Sequence, residues 1–368
     1  LAKKLGARQT IARVKNSEYL EPEQRELFST LGIDSLISPR QLAAKEIKRL
    51  VNQCSFTDVF EYEGGKISLV GITLDEVSPL INQQLIEIYG NSNGNGSSED
   101  PNYRPIAVLR GHRTIIPRGN TTLRKNDHVY FVAKTQDINC VEDFVGRQKI
   151  RIKNVMIVGG SDLAFETASM LENEYHVTLI EQNKDRCKEM AEVLHNTLII
   201  NGDVTDIDLQ EEEGLRNMDA FIALTPNSET NIIASLMAKN RGVYKTIAQV
   251  ENKEYTHISQ NIGVDTLINK KLIAANNIFR YVRKGQVEAI TSLHGVDAEV
   301  IEFVVHKNNR LTKKPLKDLN FPEEALIGGV IRGDESLIPD GNFQMQRNDK
   351  VIVFSLPEAI SKLEKLFK

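Results

Sequence analysis

From about residue 154 onward, short continuous apolar runs alternate with stretches whose apolar residues recur at helical spacing. Residues 155–158 read as a first strand. Residues 162–174 read as a helix, with Leu163, Ala164, Ala168 and Leu171 on one face. The series continues with strands at 177–180, 197–200, 219–224, 244–250 and 266–268, and helices at 185–194 and 228–239. Runs that are apolar throughout, rather than at every second position, suit strands buried on both faces. The pattern therefore predicts an α/β fold, a parallel sheet covered by helices on both sides. A long helix from residue 272 to about 284 follows, with a counterpart from 41 to about 52. The pattern then changes. Residues 298–305 alternate, 326–332 are apolar, 335–338 are short, 350–355 close the series and 357–367 are helical. These predict a small α+β domain.

Much of this pattern occurs twice. Ala2-Lys3, Gly6, Thr10-Ile11-Ala12 and Tyr19 recur 236 positions later as Ala238-Lys239, Gly242, Thr246-Ile247-Ala248 and Tyr255. Gly32, Asp34 and Leu36-Ile37 recur 231 positions later as Gly263, Asp265 and Leu267-Ile268. Arg110-Gly111, Ile116-Pro117, Gly119-Asn120, Asn126-Asp127 and Val129 recur 222 positions later, at Arg332-Gly333, Ile338-Pro339, Gly341-Asn342, Asn348-Asp349 and Val351. Glycine and proline fix turns, so identities at these residues imply shared backbone geometry. Residue 1 aligns with residue 237, whereas the second unit starts near Asn154. About 83 residues thus lack a counterpart in the first copy. With Leu1 rather than Met in first place, we expect two tandem units, the first without its front half.

Composition narrows the function classes. A chain of 368 residues exceeds one compact core. At 40% hydrophobic and 26% charged it is an ordinary globular sequence. A net charge of −4 offers no basic field for a phosphate backbone, so no nucleic-acid partner is expected. No apolar run approaches the roughly 20 residues of a membrane-spanning helix, and the N-terminus has no signal-peptide pattern. Cys54, Cys140 and Cys187 are far apart and form no C-x-x-C, which indicates neither a disulfide frame nor a zinc site. Residues 91–102, rich in Ser, Asn and Gly, read as a flexible surface loop inserted in the first copy.

The candidate chemistry lies between the first strand and first helix of the second unit, in Val158-Gly159-Gly160-Ser161-Asp162-Leu163-Ala164. In a G-x-G-x-x-G/A frame, Gly159 makes the tight turn, Ser161 stands where backbone meets pyrophosphate, and Ala164 permits close helix packing. Glu181 ends the second strand, 22 residues after Gly159, where a carboxylate can accept both ribose hydroxyls. Ser161 replaces the usual middle glycine, and Asp162 adds a negative charge at a helix N-terminus, where anions are otherwise welcome. Ser161 and Asp162 also read as a simple helix cap. Asp203, after the third strand, is placed to face adenine, and Thr225, ending the fourth, to face phosphates or nicotinamide. Each reads equally well as a turn or cap residue.

Catalytic groups are not evident. The seven histidines (112, 128, 176, 195, 257, 294 and 306) are scattered. Tyr62 and Lys66 have the spacing of a reductase pair, but Gly64-Gly65 puts them in a hairpin rather than on a helix. No G-x-S-x-G, H-E-x-x-H or Walker A sequence occurs. A nucleotide site without chemical groups suggests sensing.

The order of elements, with G-G-x-x-x-A, a linking helix and then R-G-x-x-x-I-P-x-G-N, resembles the tandem RCK (regulator of potassium conductance) arrangement of the TrkA family. Asp219-Ala-Phe-Ile-Ala-Leu-Thr225 with Glu229 and Asn231, and Val282-Arg283-Lys284 at the linking-helix end, are similar to the family pattern. The resemblance implies a remnant of a first RCK-N domain with its linking helix (1–55), a first RCK-C domain (56–150), a second, Rossmann-like RCK-N domain (151–286) and a second RCK-C domain (287–368). It implies a non-enzymatic cytoplasmic subunit, peripheral at the inner face of the cell membrane. Such a subunit would bind NAD(H), or ATP or ADP, and gate a Trk-type potassium-translocating membrane protein as a homo-oligomer, dimer or tetramer. The site residues implied are Gly159, Gly160, Ser161, Asp162, Leu163 and Ala164 for pyrophosphate, Glu181 for ribose, and Asp203 and Thr225 around base and nicotinamide. Arg13 matches a nucleotide-contacting arginine of the family's first unit, where the second copy has Gln249. Two other readings stand beside this one: an NAD-dependent oxidoreductase, and an RCK scaffold whose nucleotide crevice is degenerate.

Overall fold

The computed structural model describes residues 1–90, 102–111, 113–147, 150–252, 255, 263–282, 287–292, 298–306 and 310–367. Residues 91–101 of the expected surface loop, His112, His257, His294 and the Arg283-Lys284 helix end lie outside the described residues. The strands of the first half are β1 (Ile11–Arg13), β2 (Ser35–Ile37), β3 (Asp58–Tyr62), β4 (Ile67–Thr73), β5 (Tyr103–Arg110), β6 (Arg113–Ile115) and β7 (His128–Lys134). Then come β8 (Asn154–Val158), β9 (His176–Glu181), β10 (Thr197–Asn201), β11 (Ala220–Ala223), β12 (Lys245–Gln249) and β13 (Thr266–Ile268). The last are β14 (Val287–Ser292), β15 (Glu299–Val304), β16 (Ala325–Arg332), β17 (Glu335–Leu337) and β18 (Lys350–Ser355). The helices are α1 (Pro22–Thr30), α2 (Pro39–Asn52), α3 (Leu85–Gly90), α4 (Ile138–Val145) and α5 (Asp162–Leu171), then α6 (Lys184–Ala191), α7 (Ile207–Glu212), α8 (Ser228–Asn240), α9 (Lys270–Val282) and α10 (Ile360–Phe367). Two compact units result: Leu1–Cys54 with Ile150–Ile278, and Ser55–Lys149 with Phe279–Lys368.

The first unit is built on a six-stranded parallel sheet in the order β10-β9-β8-β11-β12-β13. The chain leaves β8 toward β9 and β10, then returns to the other side at β11. The crevice between β8 and β11 is therefore the switch point at which open α/β sheets hold ligands. Met156, Val158, Ile180, Phe221 and Ala223 form its core with Leu215, Ala234 and Ala238. The hydrophobic pattern missed α7. That helix has six residues and only Gln210 is buried on it, so it shows no periodicity. Its visible signal is the Asp206 side chain, which accepts from Asp208 N and Leu209 N.

Residues 1–54 reproduce the end of this same unit. β1 pairs with β2 in parallel (Ile11 with Ser35), in the register of β12 with β13 (Ile247 with Thr266). Lys3 Nζ meets Asp34 at 2.9 Å and Thr10 N donates to it at 2.6 Å; Lys239 and Thr246 meet Asp265 at 2.7 and 2.8 Å. The sequence repeat is thus a structural repeat down to single hydrogen bonds. α2 packs on α5; the residues buried on α2 are Ala43, Ala44, Ile47, Leu50 and Val51, and those buried on α5 are Leu163, Ala164, Thr167, Ala168 and Leu171. Arg40 flanks this contact with ion pairs to Asp162 and Glu166, both 3.4 Å, and Lys48 pairs with Glu174 at 2.5 Å.

The second unit contains two five-stranded antiparallel sheets of one design, β3-β4-β7-β5-β6 and β14-β15-β18-β16-β17. Here the repeated motif has a physical cause. Arg110 clasps Asp127 with two bonds of 2.7 Å, and Arg332 clasps Asp349 at 2.9 and 2.8 Å. Each aspartate also accepts a backbone N–H, from Arg124 or Gln346. The neighbouring Gly111 and Gly333 (φ 62° and 61°), like Asn126 and Asn348 (φ 65° and 68°), occupy the left-handed region these residues tolerate. The copies also meet at equivalent positions. A side chain at Gly328 would approach Ile106, its own counterpart, and one at Gly329 would collide with Ile67. That self-complementarity is the mark of a two-fold arrangement, here between repeats of one chain. Tyr62 and Lys66 flank the β3–β4 hairpin as expected, and Lys66 pairs with Asp334 at 3.0 Å. Among the described residues no helix is long and apolar enough to cross a membrane.

Asp127 and Asp349 are sealed from solvent, while their arginines keep 29% exposure. Replacing Asp349 by Ala strips three hydrogen bonds from a buried clasp. Denaturant unfolding of Asp349→Ala should register a loss of about 3 kcal/mol, at the lower end for a broken buried pair because the freed guanidinium reaches water.

Candidate nucleotide-binding site

The glycine turn is shaped by what surrounds it. Gly159 ends the β8 ladder, donating to Ile180 O at 2.8 Å, and has φ +99°. A Cβ there would lie 2.8 Å from Thr225 N and 3.0 Å from Leu224 C, so both the dihedral and the close approach of the β11 end require glycine. Ser161 is the N-cap of α5, its Oγ accepting from Ala164 N at 3.2 Å. Leu163 and Ala164 are buried beneath the helix start.

Glu181 stands at the carboxyl end of β9, facing the turn. Its Oε2 accepts from Gly160 N and its Oε1 from Asn183 N at 2.7 Å. A side chain on Gly160 would meet the Glu181 carboxylate at 2.7 Å. The carboxylate and the glycine turn, 21 residues apart in sequence, are therefore in direct contact. Asp203 belongs to the same end of the sheet but caps its own turn, accepting from Thr205 N and Oγ1, both at 2.8 Å. Those bonds hold its carboxyl below the usual range. Thr225 is buried, and its hydroxyl donates to Asn231 Oδ1 at 2.7 Å. Asn231 in turn donates to Thr225 O and Gln249 O, both 2.9 Å, locking the ends of β11 and β12 together.

Asp162, its side chain 71% exposed, is neutralised from two sides. Arg186 Nη2 lies 3.1 Å and Arg40 Nη1 3.4 Å from its carboxylate. Arg186 also donates through Nε to Gly160 O at 2.9 Å and lies over the Phe165 ring at 5.9 Å. Sequence reasoning did not single out Arg186. The available signal was a basic residue five positions past Glu181, on the helix that follows β9. Arg13 is not gathered into this cluster. It lies exposed at the end of β1, in a cleft of about 820 Å³ that Ser161, Asp162 and Leu163 reach from the other side.

Among the described residues no three His, Cys, Asp or Glu side chains are placed to hold a metal. His128, buried in β7, pairs with Asp58 at 3.3 Å and Thr73 at 2.9 Å in the other unit.

A parallel sheet with a glycine turn at its switch point and an acid at the next strand end defines the Rossmann class. Comparison with known proteins narrows this. The TrkA-N domain model matches residues 155–270, and the TrkA-C domain model matches 69–146 and 300–368. The chain is 34% identical to the Trk system potassium uptake protein TrkA homolog of Archaeoglobus fulgidus over 369 residues, covering 100% of this chain and 81% of that protein. With Trk system potassium uptake protein TrkA of Halomonas elongata it shares 32% over 362 residues, 97% of this chain and 78% of that one. The crystal structure of the GsuK RCK domain has the same fold, with a TM-score of 0.51 at 14% identity over 98% of this chain and 75% of that one. The chain belongs to the TrkA family of Trk-system potassium uptake proteins.

Gly159→Ala should destabilise the first unit by at least about 1–2 kcal/mol from the left-handed backbone alone. The clash with Thr225 N adds to this. Thermal unfolding followed by calorimetry checks it: a midpoint unchanged from the parent chain would contradict the geometry described.

Proposed function

We propose that the chain is a nucleotide-responsive regulatory subunit of a Trk potassium uptake system, without catalytic activity of its own. The observation that carries this reading is the Glu181 carboxylate set against the Gly159-Gly160 turn at the switch point of the sheet. The crevice suits a nucleotide in three respects. Gly159 leaves no side chain over the turn, and the first turn of α5 presents backbone N–H groups. Glu181 sets carboxylate acceptors beside the turn, at the end of the next strand. The charge of Asp162, otherwise hostile to phosphate, is met by Arg186 and Arg40. NAD(H), ADP or ATP would be held by Gly159 to Ala164 and Glu181, with Asp203 and Thr225 bounding the base side and Arg13 approaching from the neighbouring repeat. A related fold, the GsuK channel, has been solved bound to NAD, at a TM-score of 0.51.

In this proposal residues 1–55 are the remnant of a first RCK-N domain with its linking helix, 56–150 the first RCK-C domain, 151–286 the second RCK-N domain and 287–368 the second RCK-C domain. The subunit acts at the cytoplasmic face of the membrane on a potassium-translocating partner, as a dimer or tetramer. Nucleotide does work there only through a difference in affinity between two arrangements of the assembly. The partner responds to whichever arrangement the ligand favours.

One observation favours a second reading, a structural scaffold. Glu181 already satisfies the Gly160 N–H that a phosphate would need. Calorimetric titration with NADH and with ADP separates the two. The sensor reading expects saturable binding, weakened ten- to a hundredfold in Glu181→Ala, the equivalent of roughly 1.4–2.7 kcal/mol. Heat indistinguishable from dilution with both nucleotides leaves the scaffold.

A further inference from the structure

The two edges of the six-stranded sheet are finished differently. At one end, all three residues of β13 are buried. At the other, no residue of β10 is buried, and Leu198 is 58% exposed. β10 pairs with β9 and with no other strand among the described residues. Successive residues of a strand turn their backbone groups to opposite sides. Gly202 N donates to Glu181 O at 3.0 Å, so Leu198 and Ile200 also turn toward β9. Thr197, Ile199 and Asn201 therefore present N–H and C=O to the open side. Sheet edges are ordinarily guarded by a lysine, a proline or a bulge. β10, Thr-Leu-Ile-Ile-Asn in unbroken register with β9, has none of these.

The charge around this edge has one sign. From Glu189 to Leu215 the chain has eight carboxylates and neither Lys nor Arg. Glu189 is paired with Arg186, and Glu211 with Arg216 and Arg241. Glu192, Asp203, Asp206, Asp208 and Glu212 are exposed and form no ion pair among the described residues. They stand at both ends of the strand. Glu192 caps the end of α6, which packs on β10. Asp203 follows the strand, and α7 is held to the same end, where a side chain on Gly202 would collide with Leu209. A second copy set edge to edge would bring two such acidic fields together, and like charges facing each other oppose pairing. The field instead attracts a cationic partner.

We infer that the open edge of β10 docks an extended basic segment of another protein, which joins the sheet as a further strand. The backbone of that segment pairs with Thr197, Ile199 and Asn201. One of its apolar side chains lies against Leu198, and its lysines or arginines face Glu192 at one end and Asp206 and Asp208 at the other. Main-chain hydrogen bonds supply the affinity in this mode of recognition, and side-chain contacts choose the partner. The inference does not depend on whether the crevice at Glu181 binds nucleotide.

The test is selection of a phage-displayed library of random peptides, each of about ten residues and so long enough to span a strand, on the full chain. Selected sequences should alternate Lys or Arg with Val, Ile or Thr. The most enriched peptide is then synthesised and its affinity measured by fluorescence anisotropy. Two variants keep the fold, because every changed side chain is exposed: Leu198→Lys, and the double change Glu192→Lys with Glu212→Lys. Each should weaken binding roughly tenfold or more. Hydrogen exchange at the Ile199 and Asn201 amides should slow by a similar factor when the peptide is bound. The inference is overturned if no sequence is enriched, if the enriched sequences lack Lys and Arg, or if exchange at those two amides is unchanged. A chain that sediments as a dimer without peptide, and as a monomer once Leu198→Lys is introduced, also overturns it, because the edge is then taken by a second copy.

Discussion

The contact of α2 with α5 is what the first 54 residues depend on. Two three-residue strands and helices of 9 and 14 residues cannot seal a core between them. α1 has no buried residue at all. Most of this segment's buried apolar side chains lie on α2, where Ile47, Leu50 and Val51 each contribute roughly 1.5–3 kcal/mol on full burial. Ala43 and Ala44 matter for a different reason. Small, buried side chains on α2 let a packed helix approach closely enough to bury the larger neighbours on either side. The same approach brings Arg40 to Asp162 and Glu166, so a packing constraint also sets the charge at the start of the glycine-turn helix.

The parts of the fold legible in the sequence were those with a strong local signal. The parallel strands showed as unbroken apolar runs, and the R-G and N-D positions showed as turn residues repeated 222 positions apart. The repeat also conveyed that Asp34 and Asp265 would be equivalent, though not that each gathers a lysine and a threonine N–H. What stayed hidden depends on contacts between elements. α7 is too short and too polar to be periodic. Arg186 serves the glycine turn from a different helix, and no spacing rule ties it to Gly160. Asp162 read as a misplaced charge because its two arginines come from 24 residues downstream and from 122 residues upstream.

Glu181 sets the energetic terms on which the crevice can respond to a ligand. A buried N–H left without an acceptor costs about 1–3 kcal/mol. With Glu181 against Gly160, the turn keeps its shape at no such cost. In the proposed sensor, a phosphate oxygen replaces the carboxylate at Gly160, and the carboxylate moves to ribose hydroxyls. That exchange conserves hydrogen bonds, so affinity has to come from the remaining contacts with base, ribose and helix terminus. A site built this way is ordered before the ligand arrives, and binding strength is set by those added contacts rather than by creating the turn.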